Sequence, residues 1–528
     1  MRARYLNTRA SSYEHFFRYT SGRWIHDEER QLAMRYRRFD VDALKSRVLA
    51  CTGADGVEDM QKLDEGRCNR VFRVKLRNAR DVIARVPTPM AGPAHIVTAS
   101  EVATMDFLRN RLKLHQVPRV LSSSSRASDT PVGAEYIIMD PVEGVALRDV
   151  WNDLTMHQKI SLVDKWIKFE SVVVKAMRMS GGVYGSLYYR KDLPSADARD
   201  IFVDGVKDDE FVIGPCVQSL FWEKEDNYDT LDFDRGSWAD VPSFLRSLSS
   251  CARASIKRYA VPTKFVTPFD LPLRLQQPDA HLRLLDQYDS IADYFIPKDP
   301  RLLEPAMVLF DSNWTNIFLS REALDRGEIE ISGVIDWQHT AILPLYMQAQ
   351  IPVFLSDAVP APGQDWDEFR KERDYLIKAY HALYFETGVD VVWASVLTFG
   401  ENRTFAQDMP ALAASCWRVG YVPLKRRLIR VFEDWENIGG PDIPCPLIFS
   451  PDEIAQQKED DDTWLDVEAA REDLDAEVGV VKGWVPDDDS YDRAVQANNA
   501  LRNAWVATVK REDFGGHDPA EFWPYKPV

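Results

Sequence analysis

The spacing of apolar residues changes period along the chain, and each change predicts an element. Over residues 41–50 (Val-Asp-Ala-Leu-Lys-Ser-Arg-Val-Leu-Ala) the apolar positions recur at helical spacing and stop near Gly53, which predicts a helix with a glycine end. The period then drops to two. From Phe72 to Leu76 apolar and polar residues alternate, Asn78 and Asp81 mark a turn, and Val82–Val86 supplies a second strand, so this stretch reads as a β-hairpin. Thr98 to Glu101 opens a helix expected to run to about Leu112, with Val102, Met105 and Leu108 on one face. Val117–Leu121 and Glu135–Met139 read as further strands, which makes 51–139 a small β-rich unit carrying one helix.

After Gly144 the pattern becomes mostly helical. Thr155 and Gln158 form a capping box for a helix that buries Ile160, Val163, Trp166, Ile167 and Val173. Residues 181–240 read as a hairpin insertion, 306–336 as strand–loop–strand, and helices dominate 366–435. Ser450-Pro451-Asp452-Glu453 is a helix start, with a cap, a proline at the first position and a glutamate three residues after the cap. A second helix is expected to follow Asp487-Asp488-Asp489 and end near Lys510-Arg511. Trp464, Trp484 and Trp505 require packing partners, so the acidic C-terminal region reads as an ordered helical appendage.

Composition narrows the classes. At 528 residues the chain is too long for one simple core, and two to four packed units are expected. With 45% hydrophobic and 28% charged residues it is globular in type. Lys+Arg total 65 against 83 Asp+Glu, a net charge of −18 that repels phosphate backbones and argues against a nucleic-acid partner. The six cysteines are scattered, which excludes zinc ribbons and CxxC redox sites and suits a reducing compartment. No apolar run approaches the roughly 18 residues that a membrane helix needs, so no transmembrane segment is expected. Met1–Arg9 is Arg-rich, with no acid before Glu14, which points to a short mitochondrial transit segment; a cytoplasmic location is the alternative.

Phosphoryl transfer from ATP needs few parts: a loop over the phosphates, a cation on them, oxygen ligands for magnesium and a carboxylate facing the acceptor hydroxyl. The strongest candidate is Leu309-Phe310-Asp311-Ser312-Asn313-Trp314-Thr315-Asn316-Ile317-Phe318-Leu319, followed about twenty residues later by Ile331-Ser332-Gly333-Val334-Ile335-Asp336-Trp337. An aspartate ending an apolar strand can meet Asn316 across a hairpin, giving two oxygen ligands, Asn316 and Asp336, for Mg2+. Asp311 would then face the acceptor. Taken singly, each of these residues reads as an ordinary turn former, but the ordered set between two strands points to a site.

Asp311-x4-Asn316 followed by Gly333-Val334-Ile335-Asp336-Trp337 resembles the aminoglycoside phosphotransferase and choline kinase-like branch of the protein-kinase-like fold. The strings Phe17–Trp24, Ala99–Met105, Gly133–Met139 and Ile335–Thr340 resemble a fungal group that contains altered inheritance of mitochondria protein 9, and the similarity covers about residues 16–440. The resemblance implies an α+β, bilobal protein-kinase-like fold, with a small antiparallel β-sheet N-lobe, a larger helical C-lobe and an acidic helical C-terminal appendage. The units expected are an extension over 1–40, the N-lobe over 41–140, the C-lobe over 141–445 and the tail over 446–528.

The same resemblance assigns further residues. Leu63 to Phe72 is similar to the turn that covers the phosphates, where Gly66 would permit a tight bend and Asn69 would offer an amide to a phosphate oxygen. Arg85 stands where kinases place a phosphate-binding lysine, and a guanidinium keeps that charge. Glu101 would pair with Arg85, in competition with a capping box formed with Thr98. Tyr136–Val142 resembles the hinge at the adenine edge, and because Pro141 has no N–H the donor falls to Val142 or Met139. Two departures stand out: Leu309 occupies the place of a loop-bracing histidine, and Ser312 that of a leucine. His339 reads as satisfying a local backbone group. The activity implied is ATP- and Mg2+-dependent phosphoryl transfer to a hydroxyl of a small molecule. The alternative is a pseudokinase, a nucleotide-binding or scaffolding module without turnover. A protein-substrate kinase is disfavoured, because no stretch ending Ala-Pro-Glu follows Asp336.

Overall fold

The computed structural model describes residues 13–178, 182–203, 205–223, 230–309, 311–356, 365–387, 393 and 404–526. The transit reading of Met1–Arg9 lies outside the described residues. Strand β1 (Arg23–Trp24) precedes an antiparallel sheet of five strands: β2 (Val57–Glu65), β3 (Asn69–Leu76), β4 (Asp81–Pro87), β5 (Val120–Ser124) and β6 (Tyr136–Met139), in the order β2-β3-β4-β6-β5. β3 and β4 are the hairpin expected from the alternation, with Phe72 opposite Ala84 and Val74 opposite Val82. β2 is a strand that local patterning does not reveal. Its sequence, Val-Glu-Asp-Met-Gln-Lys-Leu-Asp-Glu, shows no clean alternation, and it forms by edge pairing with β3 through two register irregularities.

Side-chain alternation sorts the sheet into two faces. Phe72, Val74, Val82, Ala84, Val86 and Ile138 are fully buried against Phe16, Phe17 and Phe39 and the Val41–Thr52 helix. That helix is capped by Asp40 and ends on Gly53 in the left-handed region, as its spacing predicted. The residues of opposite parity, Ile83 and Arg85 on β4 and Met139 on β6, face the interlobe cleft.

The next helix runs over Ile96–Asp106 and widens into a π-helical turn at Phe107–Arg111, close to the predicted end. It begins two residues earlier than expected, after His95, with no side-chain cap. Thr98 therefore lies inside the first turn, and the Thr98–Glu101 capping box does not form.

The larger lobe follows β7 (Val145–Ala146). Thr155 and Gln158 make the reciprocal capping box of the Met156–Lys175 helix, which packs against the Trp366–Thr387 helix. Residues 181–240 hold three strands, β8 (Ser186–Tyr189), β9 (Arg199–Val203) and β10 (Val206–Gly214), and not a lone hairpin; β10 pairs with both neighbours. Strands β11 (Pro305–Met307), β12 (Ile317–Leu319), β13 (Ile331–Val334) and β14 (Ile342–Pro344) form two small sheets, β11-β14 and β13-β12-β7. A single large core containing Trp166, Trp238 and Trp337 underlies them. The chain is thus α+β and bilobal, with the kinase-like arrangement of a small sheet above a helical lobe.

Ser450 and Glu453 cap the Pro451–Val478 helix reciprocally. β15 (Trp484–Val485) and the Asp488–Thr508 helix follow. Trp505 packs on Trp523 at 5.5 Å between ring centroids. No helix among the described residues is long and apolar enough to cross a membrane.

Candidate functional site

A cleft of about 1560 Å³ lies between the lobes. Gly66, Asn69, Arg85, Met139, Val142, Asp311, Asn316 and Asp336 all line it; Glu101 alone of the predicted residues does not.

Asn316 ends the loop entering β12, and Asp336 follows β13. Because Ile317 pairs with Val334, the hairpin brings Asn316 beside Ile335, whose N–H donates to the Asn316 carbonyl at 2.9 Å. Asn316 donates its side-chain amide to the Asp311 carbonyl (3.0 Å) and to Asp311 Oδ2 (3.1 Å). Its amide oxygen is thereby the atom left to meet a cation. Asp336 adopts φ +63°, a conformation that short polar residues tolerate best, and this turns its side chain out of the strand. The Asp311 carboxyl is held above its usual range by burial and by the charge of Asp336, and the bond from Asn316 offsets part of the rise.

From the sheet side, Arg85 reaches three groups. One guanidinium nitrogen donates to Glu101; the other donates to Asp336 Oδ1 at 2.8 Å and to Gln338 Oε1 at 3.1 Å. The Arg85–Glu101 pair forms as expected, with both residues buried. Burial pushes the Glu101 carboxyl up to about 7, Asp336 adds to the rise, and Arg85 counters it. Glu101 therefore sits behind the cleft, bonded to Arg85.

Gln338 was not anticipated. Its Oε1 also accepts from Asn69 Nδ2 at 2.7 Å, so one buried amide ties the Gly66–Asn69 turn, Arg85 and the segment after Asp336 together. Asp-Trp-Gln adjacency was the only signal in the sequence. His339, also at positive φ, bonds the Ala91 carbonyl at 2.8 Å; its partner is in the other lobe and is not local. Burial lowers its pKa, which favours the neutral imidazole.

In the turn, the Gly66 N–H donates to the Asn69 carbonyl at 3.0 Å. Gly66 does not use positive φ, and an added Cβ would meet open space, so the bend does not require glycine. Cys68, within the turn, has its thiol pushed up to about 11 by burial, which disfavours the thiolate. At the hinge, a Cβ on Gly333 would collide with the Val142 side chain; glycine lets the hinge lie directly on β13. Leu309 is buried in the C-lobe core. Ser312 braces the neighbouring segment, accepting from Val353 N–H at 2.8 Å through its hydroxyl and from Phe354 N–H at 3.0 Å through its carbonyl.

Among the described residues no three of His, Cys, Asp and Glu converge as a metal cage. One carboxylate and one amide oxygen, with phosphate oxygens and water completing the shell, is nevertheless a donor set that suits Mg2+, which rarely uses all-protein cages.

No family model matches the chain. Among solved structures, the chain resembles the streptomycin–ATP ternary complex of APH(2")-IIa, at 14% identity and a TM-score of 0.36, covering 74% of this chain and 97% of that one. It also resembles a GDP complex of aminoglycoside 2'-phosphotransferase-IIIa, at 11% identity and a TM-score of 0.35, covering 73% and 98%. In sequence, a subtelomeric hrmA-associated cluster protein of Aspergillus fumigatus is 32% identical over 526 residues, 89% of this chain and 97% of its own length. Altered inheritance of mitochondria protein 9, mitochondrial, of Yarrowia lipolytica is 23% identical over 90% of this chain and 85% of its own. Its Saccharomyces cerevisiae counterpart is 20% identical over 92% and 88%. The chain therefore belongs to the fungal family that holds the subtelomeric hrmA-associated cluster proteins and altered inheritance of mitochondria protein 9.

Proposed function

We propose that this protein is an ATP- and Mg2+-dependent phosphotransferase that acts on a hydroxyl of a small molecule. The observation that carries the reading is the convergence of Arg85, Asp311, Asn316 and Asp336 on one interlobe cleft from three separate parts of the chain. Arg85 would bind the α- and β-phosphates with Glu101 behind it, while Gly66 and Asn69 sit over the triphosphate. The adenine edge would meet backbone groups of Met139 and Val142. Asn316 and Asp336 would hold Mg2+, which supplies neutralisation of charge on the phosphates. Asp311, already raised in pKa, is suited to orienting the acceptor hydroxyl and taking its proton. Positioning and charge neutralisation account for most of the rate in such chemistry, so few side chains suffice.

The alternative, a nucleotide-binding or scaffolding module without turnover, is favoured by Leu309 at the bracing position and by the Arg85–Asp336 ion pair, which engages a phosphate ligand and a metal ligand with each other. ATP consumption measured against a panel of hydroxylated amines and sugars, beside Asp311→Asn, separates the two. Turnover lost in the variant with nucleotide binding kept supports the enzyme; binding with no turnover on any acceptor favours the module. A mitochondrial location is proposed from the names of the relatives, and imaging of a fluorescent fusion beside a mitochondrial marker tests it.

A further inference from the structure

The acidic tail and the segment ahead of the N-lobe are not part of the cleft, yet they form one continuous connection to it. The Pro451–Val478 helix is fixed to the C-lobe: buried Asp460 accepts from Arg274 at 2.6 Å, Asp461 from Arg426 at 2.9 Å, and Gln457 donates to the Val422 carbonyl at 3.2 Å. Beyond Gly479 the chain turns back and β15 pairs antiparallel with β1, Arg23 opposite Val485 and Trp24 opposite Trp484. Ile25 donates its N–H to the Gly483 carbonyl at 2.9 Å and is buried among Leu474, Val478, Val485 and Trp523. Arg23 reaches Asp488 at 3.2 Å and lies 3.6 Å over the Tyr491 ring.

A few residues upstream, the same strap grips the N-lobe. The Thr20 N–H and hydroxyl both donate to Glu65 Oε1, the hydroxyl at 2.6 Å, and the Ser21 hydroxyl donates at 3.2 Å. Lys62 binds the other Glu65 oxygen at 2.9 Å and also donates to the His15 carbonyl at 3.0 Å and to Thr20 Oγ1 at 2.6 Å. Glu65 and Arg70 face each other across β2 and β3 and are the two feet of the Gly66–Asn69 turn. Arg70, fully buried, is held by the Arg35 carbonyl at 2.6 Å. Both feet of the turn are therefore anchored in residues 15–35, and those in turn are anchored in the tail.

We propose that residues 15–25 and the C-terminal tail form a belt from the C-lobe to the phosphate-covering turn, with Glu65 as the positioning residue through which the belt sets nucleotide affinity. The nucleotide half of this inference rests on the phosphotransferase reading; the mechanical half does not. Within the turn the Gly66 N–H donates to the Asn69 carbonyl, and the Arg67 and Cys68 carbonyls accept from the Thr88 hydroxyl and N–H, both at 2.8 Å, so the turn is held by the end of β4 on one side and by its two feet on the other. A belt that crosses from one lobe to the other also limits how far the hinge can open.

Gly22→Val tests this without touching the cleft, because a Cβ at Gly22 collides with the Trp484 indole and forces β1 off β15. Hydrogen exchange of peptides covering 63–72 is expected to speed up about tenfold in the full-length variant. Affinity for a fluorescent ATP analogue with Mg2+ should weaken by about fivefold to tenfold. Glu65→Gln should do the same, and the double variant should be no worse than either alone, as members of one mechanical unit are not additive. Thr20→Val is a milder variant that removes the hydroxyl bonds to Glu65 and Lys62 while keeping the backbone N–H on Glu65, and it should shift exchange in the same direction should Gly22→Val fail to fold. The belt is overturned where exchange rises in 20–26 and 480–486 while 63–72 stays within about twofold of wild type. Should the wild type bind no nucleotide, the phosphotransferase reading falls while the exchange result still decides the belt.

Discussion

Arg85→Met keeps most of the arginine stem and removes the charge that holds three partners. Its direct cost is the loss of bonds to Glu101, Asp336 and Gln338. The bond to Asp336, whose side chain is 37% exposed, contributes little after solvent screening. The decisive partner is Glu101, buried and already raised in pKa with Arg85 present. A carboxyl whose folded pKa lies above its unfolded value costs stability as pH rises, from the unfolded value up to the folded one, after which the cost levels off. Removing Arg85 raises the folded value further, so in the variant the cost keeps growing after it has levelled off in wild type. The gap between the two proteins must therefore widen above about pH 7, the level to which burial brings Glu101 in wild type. A further rise of about 2 pH units corresponds to about 2.7 kcal/mol, or about 5–10 °C in Tm for a unit of this size. Thermal unfolding of wild type, Arg85→Met, Glu101→Gln and the double variant, recorded from about pH 6 to about pH 9, measures it. The double variant should lose most of the widening, since it no longer buries a titrating carboxyl. A Tm deficit in Arg85→Met that stays constant across that range, or is equally steep in the double variant, would refute the reasoning.

Asp311→Asn should lower turnover by about 10²–10⁴-fold with nucleotide affinity little changed, read from steady-state rates beside equilibrium binding. Asp336→Asn keeps a residue at ease with positive φ and so isolates the charge; the Mg2+-dependent part of ATP binding should disappear in titrations with and without the metal. The acid limb of kcat/KM should lie above the ordinary carboxylate range, because Asp311 must be ionised and its pKa is raised; activity falls as pH drops through that value. Gln338→Leu leaves Asn69 and Arg85 without a shared buried acceptor and should raise KM for ATP more than it lowers kcat, with a stability loss of about 1–3 kcal/mol.

Where a rule acts within a few residues, the chain announced its structure. The period-two alternation of Phe72–Leu76 and Val82–Val86 was enough to place the β3–β4 hairpin and to put Arg85 on the face opposite Ala84 and Val86. The two capping boxes, at Thr155 and Ser450, depend on side chains bonding nearby backbone, and the Gly53 helix end on a left-handed residue whose N–H reaches the Leu49 carbonyl; all three form as expected. Asp311, Asn316 and Asp336 were visible because the first two sit five apart and a short hairpin carries the third back to them.

Other features depended on distant partners. β2 has no alternation of its own and exists because β3 offers an unpaired edge. Thr98 could have capped a helix by its spacing, but the helix starts earlier, at Ile96, buries Thr98 and leaves Glu101 to Arg85. Gln338, and the crossing of the tail to Arg23 and onward to Glu65, join residues hundreds of positions apart. Local spacing determined which residues stood out as candidates, since caps and strand faces are decided over a few bonds. Only the tertiary structure decided which of those residues meet, because a buried charge takes whatever partner the packed lobes bring within reach.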